Sequence, residues 1–459
     1  MGRVPRRDFL GVVAAMGAKA VLPNRIRRNG PPTVDVAIIG AGLSGLVAAT
    51  DLVEKGATVV VFEAKARVGG RVINQPLPGG GVVEGGGQWV GPTQDAILAL
   101  GEHLNVPTFK TYTGRTDGTI ENSAAYSAEL LGVVGEFQTL MAVVPLEAPW
   151  TAPQAAEWDQ MTIADWLSRR SQSPATIREI EAAVRTTLGG APDATSFLWW
   201  LYSLRSSGGF RVIQSIEGAA RERRFVGGSQ LLPLRLAEGL GQRVLLNTPV
   251  IRVIQKPDRV EVRTRVAIVE ARRLIVAMSP FDAGRIEFAP ALPLERQTLM
   301  SSWKMAAGYK AHLVYPTPFW RAAGFNGIST GGKTATQTFD NSPAEGAPGA
   351  LLVFADRSAL PKNKAQRQAA LSEDLVQRFG PSVLQPTAFL EQDWSTDPWN
   401  GGCSSALPPG VLSRSGPSLR QPIDRIHWAG TETSDRWNGS MEGAVRSGHR
   451  AASEVLSAS

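Results

Sequence analysis

Val34-Asp35-Val36-Ala37-Ile38-Ile39-Gly40-Ala41-Gly42-Leu43-Ser44-Gly45 is the stretch that decides the fold. Its opening residues have the apolar character of a buried parallel strand, and the glycines follow with no spacer. A helical pattern then runs to about Lys55, a second strand covers Thr58 to Phe62, and Glu63 follows, eighteen residues beyond Gly45. That spacing suits an acid that accepts hydrogen bonds from a ribose. The glycines have a mechanical reason. Without Cβ atoms at Gly40, Gly42 and Gly45, the turn lets backbone N–H groups, those of Leu43 and Ser44 among them, approach a pyrophosphate at the positive end of the helix. Alone, this unit specifies a dinucleotide and no more.

Working outward, Glu63-Ala64 is followed by Ala66-Arg67-Val68-Gly69-Gly70-Arg71, then by Val82-Val83-Glu84-Gly85-Gly86-Gly87-Gln88-Trp89-Val90, and later by Arg224-Phe225-Val226-Gly227-Gly228-Ser229. The strand-rich stretch Arg243 to Met278 includes Arg259-Val260-Glu261-Val262-Arg263, an alternation expected of a half-exposed sheet. Together these segments resemble the flavin amine oxidases, with the monoamine oxidases and bacterial polyamine oxidases nearest. The resemblance implies FAD. It implies that Arg67, Arg71 and the glycines between them bind the pyrophosphate and the flavin edge, with Gly86, Gly87, Gln88 and Trp89 continuing that surface. It also implies that Val250 lies against the adenine. On its own residue type Val250 reads as core.

The far end of the chain extends the resemblance: Ile426-His427-Trp428-Ala429-Gly430-Thr431-Glu432-Thr433, then Trp437 to Val445. From about Ser440 the pattern is helical, and such a helix aims N–H groups near Ser440 and Met441 at the pyrimidine side of the flavin, where negative charge accumulates on reduction. Between Trp399 and Pro409 stands Cys403, the sole cysteine. It occupies the position of the family's cysteine bonded through sulfur to the flavin 8α carbon, although a lone cysteine also reads as a buried free thiol. Lys310, in an apolar run before Phe319-Trp320, matches the lysine that holds a water against flavin N5; a solvated lysine at a strand edge is the plainer reading. By the same resemblance Trp394 sits beside the isoalloxazine, with a core tryptophan as the alternative. The family frames its amine between two aromatic rings, at positions occupied here by Ser404 and Ser440. That departure leaves a wider, more polar entrance that admits bulkier, cyclic or polyamine substrates. Trp399, Trp199, Trp200, Tyr202 and Phe210 offer replacement walls, although each reads more often as core.

Of the formal charge of +7, nearly all falls in residues 1–30, which hold seven Lys/Arg against one Asp, so a nucleic-acid partner is not indicated. Pro5-Arg6-Arg7-Asp8-Phe9-Leu10 and the mild apolar stretch after it resemble a twin-arginine leader, implying export to the periplasm or outer face. If the leader does not function, the protein stays cytoplasmic. No apolar run is long enough for a membrane span, and the four histidines show no metal-binding spacing. A homodimer is open. The expected fold is α/β: an FAD-binding Rossmann-like domain from residues 33–108, 220–284 and 397–456, interleaved with an α+β substrate domain from residues 109–219 and 285–396. The expected reaction is oxidation of a primary or secondary amine to an imine, which water hydrolyses, with electrons passed to O2 or a redox protein. An FAD-dependent L-amino-acid oxidase or desaturase, and an exported flavoprotein electron carrier, are the competing readings.

Overall fold

Valine and isoleucine at alternating and adjacent positions draw Thr33–Ile39, Val59–Phe62 and Ile268–Ala277 into one sheet, because β-branched chains pack well on a pleated surface. Thr33–Ile39 lies at its centre, parallel to Val59–Phe62 on one side and to Ile268–Ala277 on the other. Val244–Leu245 extends the first edge, again parallel. The long strand Ile268–Ala277 splits its far side. Its first half pairs antiparallel with Val260–Thr264, and its second half pairs parallel with Ile426–Ala429, near the end of the chain. The computed structural model describes residues 31–114 and 127–458, so the expected leader lies outside the described residues.

The helix Leu43–Glu54 leaves the glycine turn and packs beneath the sheet, and the closing helix Met441–Ser457 lies against it. Their crossing is close because a Cβ on Gly448 would stand 2.6 Å from the Ser44 carbonyl. The antiparallel extension differs from the half-exposed sheet expected of its alternation. Glu261 is buried, covered by Lys256 and Arg263, while Arg259 and Lys256 also bridge to Glu270. Mutual ion pairing shields the polar face that the alternation would otherwise turn to water.

A second sheet, ordered Ser329–Thr330, Ala335–Asp340, Gly349–Ala355, Tyr309–Tyr315 and Ala388–Asp393, is antiparallel throughout. Beside it stands a helical layer, with Ala128–Ala142, Pro174–Leu188 and Phe197–Ser207 around a core rich in tryptophan. Trp199, Trp200 and Tyr202 are wholly buried there. A small sheet of Trp89–Val90, Arg223–Phe225 and Thr108–Lys110 sews the layers together. The described main sheet also takes in Glu287–Ala289, a few residues into the segment read as substrate domain.

The turn glycines divide by what surrounds them. A Cβ on Gly45 would lie 1.9 Å from the Gly40 carbonyl oxygen, whereas one on Gly42 would meet no protein atom within 4 Å. Gly45→Ala is therefore expected to destabilise the protein by about 1–3 kcal/mol, the range for overpacking, and Gly42→Ala to leave the urea midpoint nearly unchanged. Equal midpoints for the two variants would contradict this division.

Candidate active site

One continuous cleft, of about 420 Å³, runs between the opening turn and the helical layer. Its nucleotide half is built from backbone. Gly40, Gly42, Leu43 and Ser44 line it, and the helix they begin has no side-chain cap and no acid in its first turn. The first-turn N–H groups lack intrahelical acceptors, so that end attracts an anion. Gly70 approaches from the opposite loop, close enough that its Cβ would stand 3.4 Å from the Gly42 Cα. Glu63, Ala64 and Val250 line the same half. The Glu63 carboxylate accepts from the N–H groups of Ala41 (2.8 Å) and Lys65 (2.9 Å), which fixes it at the strand end. Burial raises its pKa, and those two amides oppose the shift.

Arg67 does not face the cleft. Its guanidinium turns back to the carbonyls of Val68, Gly70 and Val72, holding the Gly69-Gly70 loop in shape from behind. Arg71 does line the cleft, donating to the Cys403 carbonyl (3.1 Å) and pairing with buried Glu432 at 2.7 Å. Burial alone would weaken the Arg71 cation, but Glu432, with Cys403 and Asp282, more than offsets it. Gly430 and Thr431 border the cleft, while Glu432 sits behind them.

The closing helix brings Ser440 and Met441 to the cleft. The Ser440 hydroxyl accepts from the Gly443 N–H at 3.2 Å, capping the helix. Glu442 points elsewhere, accepting from the N–H groups of Ala96 (3.2 Å) and Ile97 (2.7 Å) at the start of Asp95–His103. The closing helix thus keeps its positive end, while its own acid satisfies a neighbour. Gly86, Gly87, Gln88 and Trp89 complete this wall, with Met441 so near Gly87 that a Cβ there would lie 3.0 Å from its side chain.

Lys310 stands at the junction of the two halves, 8% exposed, on Tyr309–Tyr315, an interior strand of the second sheet. Its ammonium donates to the Gly86 carbonyl (2.6 Å), to the Gln88 side chain and weakly to the Glu84 carbonyl (3.4 Å). Burial lowers its pKa to about 8, with Glu84 opposing and Arg224 adding to the shift. Behind it lies a polar network that sequence reasoning did not find. Gln88 donates to Asn341 (2.8 Å), and Asn341 reaches both His312 (3.0 Å) and Glu84 (3.4 Å). Glu84 pairs with Arg224 at 2.7 Å, both of them buried. Each of these residue types reads as ordinary alone; a glutamate ending the apolar run Val82-Val83-Glu84 was the available signal.

Cys403 lines the cleft against Gly308, where a Cβ would lie 3.3 Å from its sulfur. Burial pushes its thiol pKa up, and Arg71 and Lys310 pull it back. Trp394 is fully buried one layer behind, donating to the Gly85 carbonyl at 3.1 Å, with Gly86 and Cys403 in front of it. Ser404 lines the cleft; so does Trp399, which at 41% exposure is no core residue. Phe210 does not line it. Following Gly208-Gly209, both at positive φ, its ring turns into the helical core beside Phe137 and Trp200, and Ile213 of the same short helix reaches the cleft instead. Gln94, Thr186, Thr187, Arg221 and Phe354 are lining residues that the sequence did not reveal. Among the described residues no group of His, Cys, Asp and Glu could hold a metal, and no helix is long and apolar enough to cross a membrane.

Residues 43–456 match the family described as flavin containing amine oxidoreductase, and the chain belongs to that family. AofH of Mycobacterium tuberculosis, whose name places it among flavin-containing monoamine oxidases, is 37% identical, the match covering 93% of this chain and 97% of that one. The cyclohexylamine oxidase of Brevibacterium oxydans superposes with a TM-score of 0.87 at 31% identity, over 93% of this chain and 99% of that one. A putrescine oxidase bound to putrescine gives the same TM-score, identity and coverage. The protein is an FAD-dependent amine oxidase. Its cleft fits that cofactor: Gly42 leaves space that a side chain would fill, two helix ends converge, and the buried Gln94 side-chain oxygen has no partner among the described residues.

Glu84→Gln is expected to cost about 3–5 kcal/mol in urea unfolding, because it strands the buried Arg224 cation, and Glu84→Leu combined with Arg224→Met should recover much of that loss. A single variant as stable as the parent would show the pair to be dispensable.

Proposed function

We propose that the protein oxidises a primary or secondary amine to an imine, which water hydrolyses, and returns the electrons to dioxygen or another acceptor. The observation that carries this reading is the single cleft that joins a dinucleotide cradle to a tryptophan-walled half, with buried Lys310 where they meet. FAD, when bound, accepts the hydride equivalent from the carbon next to nitrogen. The chain then has to bind, orient and exclude water, and needs no nucleophile of its own.

Gly42, Leu43 and Ser44 offer N–H groups to the pyrophosphate, and Glu63 faces the ribose. The end of the closing helix near Ser440 and Met441 favours negative charge on the flavin ring. Lys310 serves the return of electrons to oxygen, as a fixed cation held by Gly86 and Gln88. Cys403 is the site at which the flavin is bonded through sulfur, a reading supported by its place on the cleft wall. Arg6-Arg7 and the small residues after them support export through the twin-arginine route and a place in amine breakdown outside the cytoplasm.

Lys310→Met should slow reoxidation of reduced enzyme by oxygen, in stopped flow, far more than it weakens FAD binding. In the parent, the lysine-dependent part of that rate should fall as pH rises through about 8, where the ammonium is lost. A rate matching the parent's at every pH refutes the role. Cys403→Ala should release all its FAD on acid denaturation while the parent keeps it with the protein; free FAD from the denatured parent excludes the bond.

A further inference from the structure

We propose that Gln94 is a cofactor-binding residue that reads the imide edge of the flavin pyrimidine: its carboxamide accepts a hydrogen bond from the ring N3–H, donates one to the neighbouring carbonyl oxygen, and so raises the reduction potential of the bound flavin. This rests on the FAD-dependent reading of the cleft and deepens it.

Gln94 is 3% exposed and lines the cleft directly before the helix Asp95–His103. Its neighbours in sequence tie it to the start of the closing helix. The Thr93 carbonyl accepts from the Trp437 indole at 3.0 Å, and the N–H groups of Ala96 and Ile97 are taken by Glu442. Gln94 is therefore held against residues 437–442, on the stretch of wall where Met441 meets Gly87. The polar side chains beside it are spent on their own segment. The Ser440 hydroxyl donates to the Trp437 carbonyl and accepts from the Gly443 N–H, and the Asn438 amide donates to the carbonyls of Glu432 and Ser434.

A polar residue just before a helix ordinarily turns its side chain onto the first free N–H groups. Here Glu442 already serves them, and the Gln94 side chain makes no capping bond. Its Oε1 is left buried without a partner among the described residues. An amide oxygen taken out of water without a donor is costly, so the position calls for a donor from a bound molecule. Oxidised isoalloxazine carries a single ring N–H, at N3, flanked by two carbonyl oxygens. A carboxamide holds an acceptor and a donor side by side, and that edge offers the reverse pair, so one side chain answers it with two bonds. The flavin oxygens gain negative charge on reduction, which strengthens the bond that Gln94 donates and favours the reduced form.

The test reads the flavin rather than turnover. In the holoenzyme, dye-equilibrium titration of Gln94→Leu should give a midpoint potential below the parent's by about 30 mV, a tenfold change in the two-electron reduction equilibrium. Gln94→Glu keeps an acceptor for N3–H but sets a carboxylate beside the reduced ring, so its potential should fall further; being nearly isosteric, it serves if the leucine variant fails to fold. A binding cycle separates the contact from a general loosening of the cleft. With Cys403→Ala as the background, so that flavin can be removed and exchanged, 3-methyl-FAD should bind about tenfold more weakly than FAD, and adding Gln94→Leu should abolish that difference. Potentials equal to the parent's, or a methyl penalty that survives the leucine substitution, overturn the assignment. If no amine reduces the flavin while both differences hold, the amine-oxidase reading fails and the Gln94 contact stands; a chain that binds no flavin defeats both.

Discussion

The cleft depends on an ion pair between two distant segments of the chain, a half-buried arginine on a fully buried glutamate. Arg71, in the second glycine loop, meets Glu432 across 361 residues of sequence, and its other donor holds the Cys403 carbonyl. The Arg71 carbonyl in turn accepts from the Gly87 N–H at 3.2 Å, so one residue anchors three segments that wall the cleft. The Glu432 carboxylate, out of water, is tolerable only with a cation against it. Lose either partner and a bare charge is left in the place where the glycine loop, the cysteine segment and the closing helix must fit together.

A second pair, buried on both sides, does comparable work for the substrate half. Glu84 and Arg224 join the strand that leads to Gly86 with the strand that follows Arg221. Through Asn341 and Gln88 the pair reaches the lysine at the junction, and burial together with Lys310 and Arg224 keeps His312 neutral at the end of that network. The polar groups of the layer behind the cleft are thus spent on fixing one cation.

Much of the nucleotide half was legible in the sequence, because its chemistry is backbone chemistry and glycine spacing encodes backbone. Gly40, Gly42 and Glu63 line the cleft at the strand-turn-helix unit, whereas Gly45, read as cofactor-binding, lies off its wall, packed against the Gly40 carbonyl. Side-chain direction was not legible. Arg67 and Arg71 sit in one short motif, yet one holds its own loop and the other reaches across the molecule. Phe210 and Trp399 read alike as aromatic, and the turn after Gly208-Gly209 buries the first while the second borders the cleft. The segments around Glu84 and Arg224 gave no physical reason for their spelling when read apart. Their reason is each other, a long-range pairing that no local pattern contains.

The order in which the cradle is assembled follows from where its parts lie. Gly40 to Gly45 leave the ribosome well before Gly430 to Met441, and the strand Ile426–Ala429 that carries the later group inserts beside one completed long before. A growing chain therefore displays half a cofactor site until the segment from Ile426 onward has followed. Flavin capture waits on the helix Met441–Ser457, whose first turn walls the cleft and whose buried face lies against the helix of the opening glycine turn.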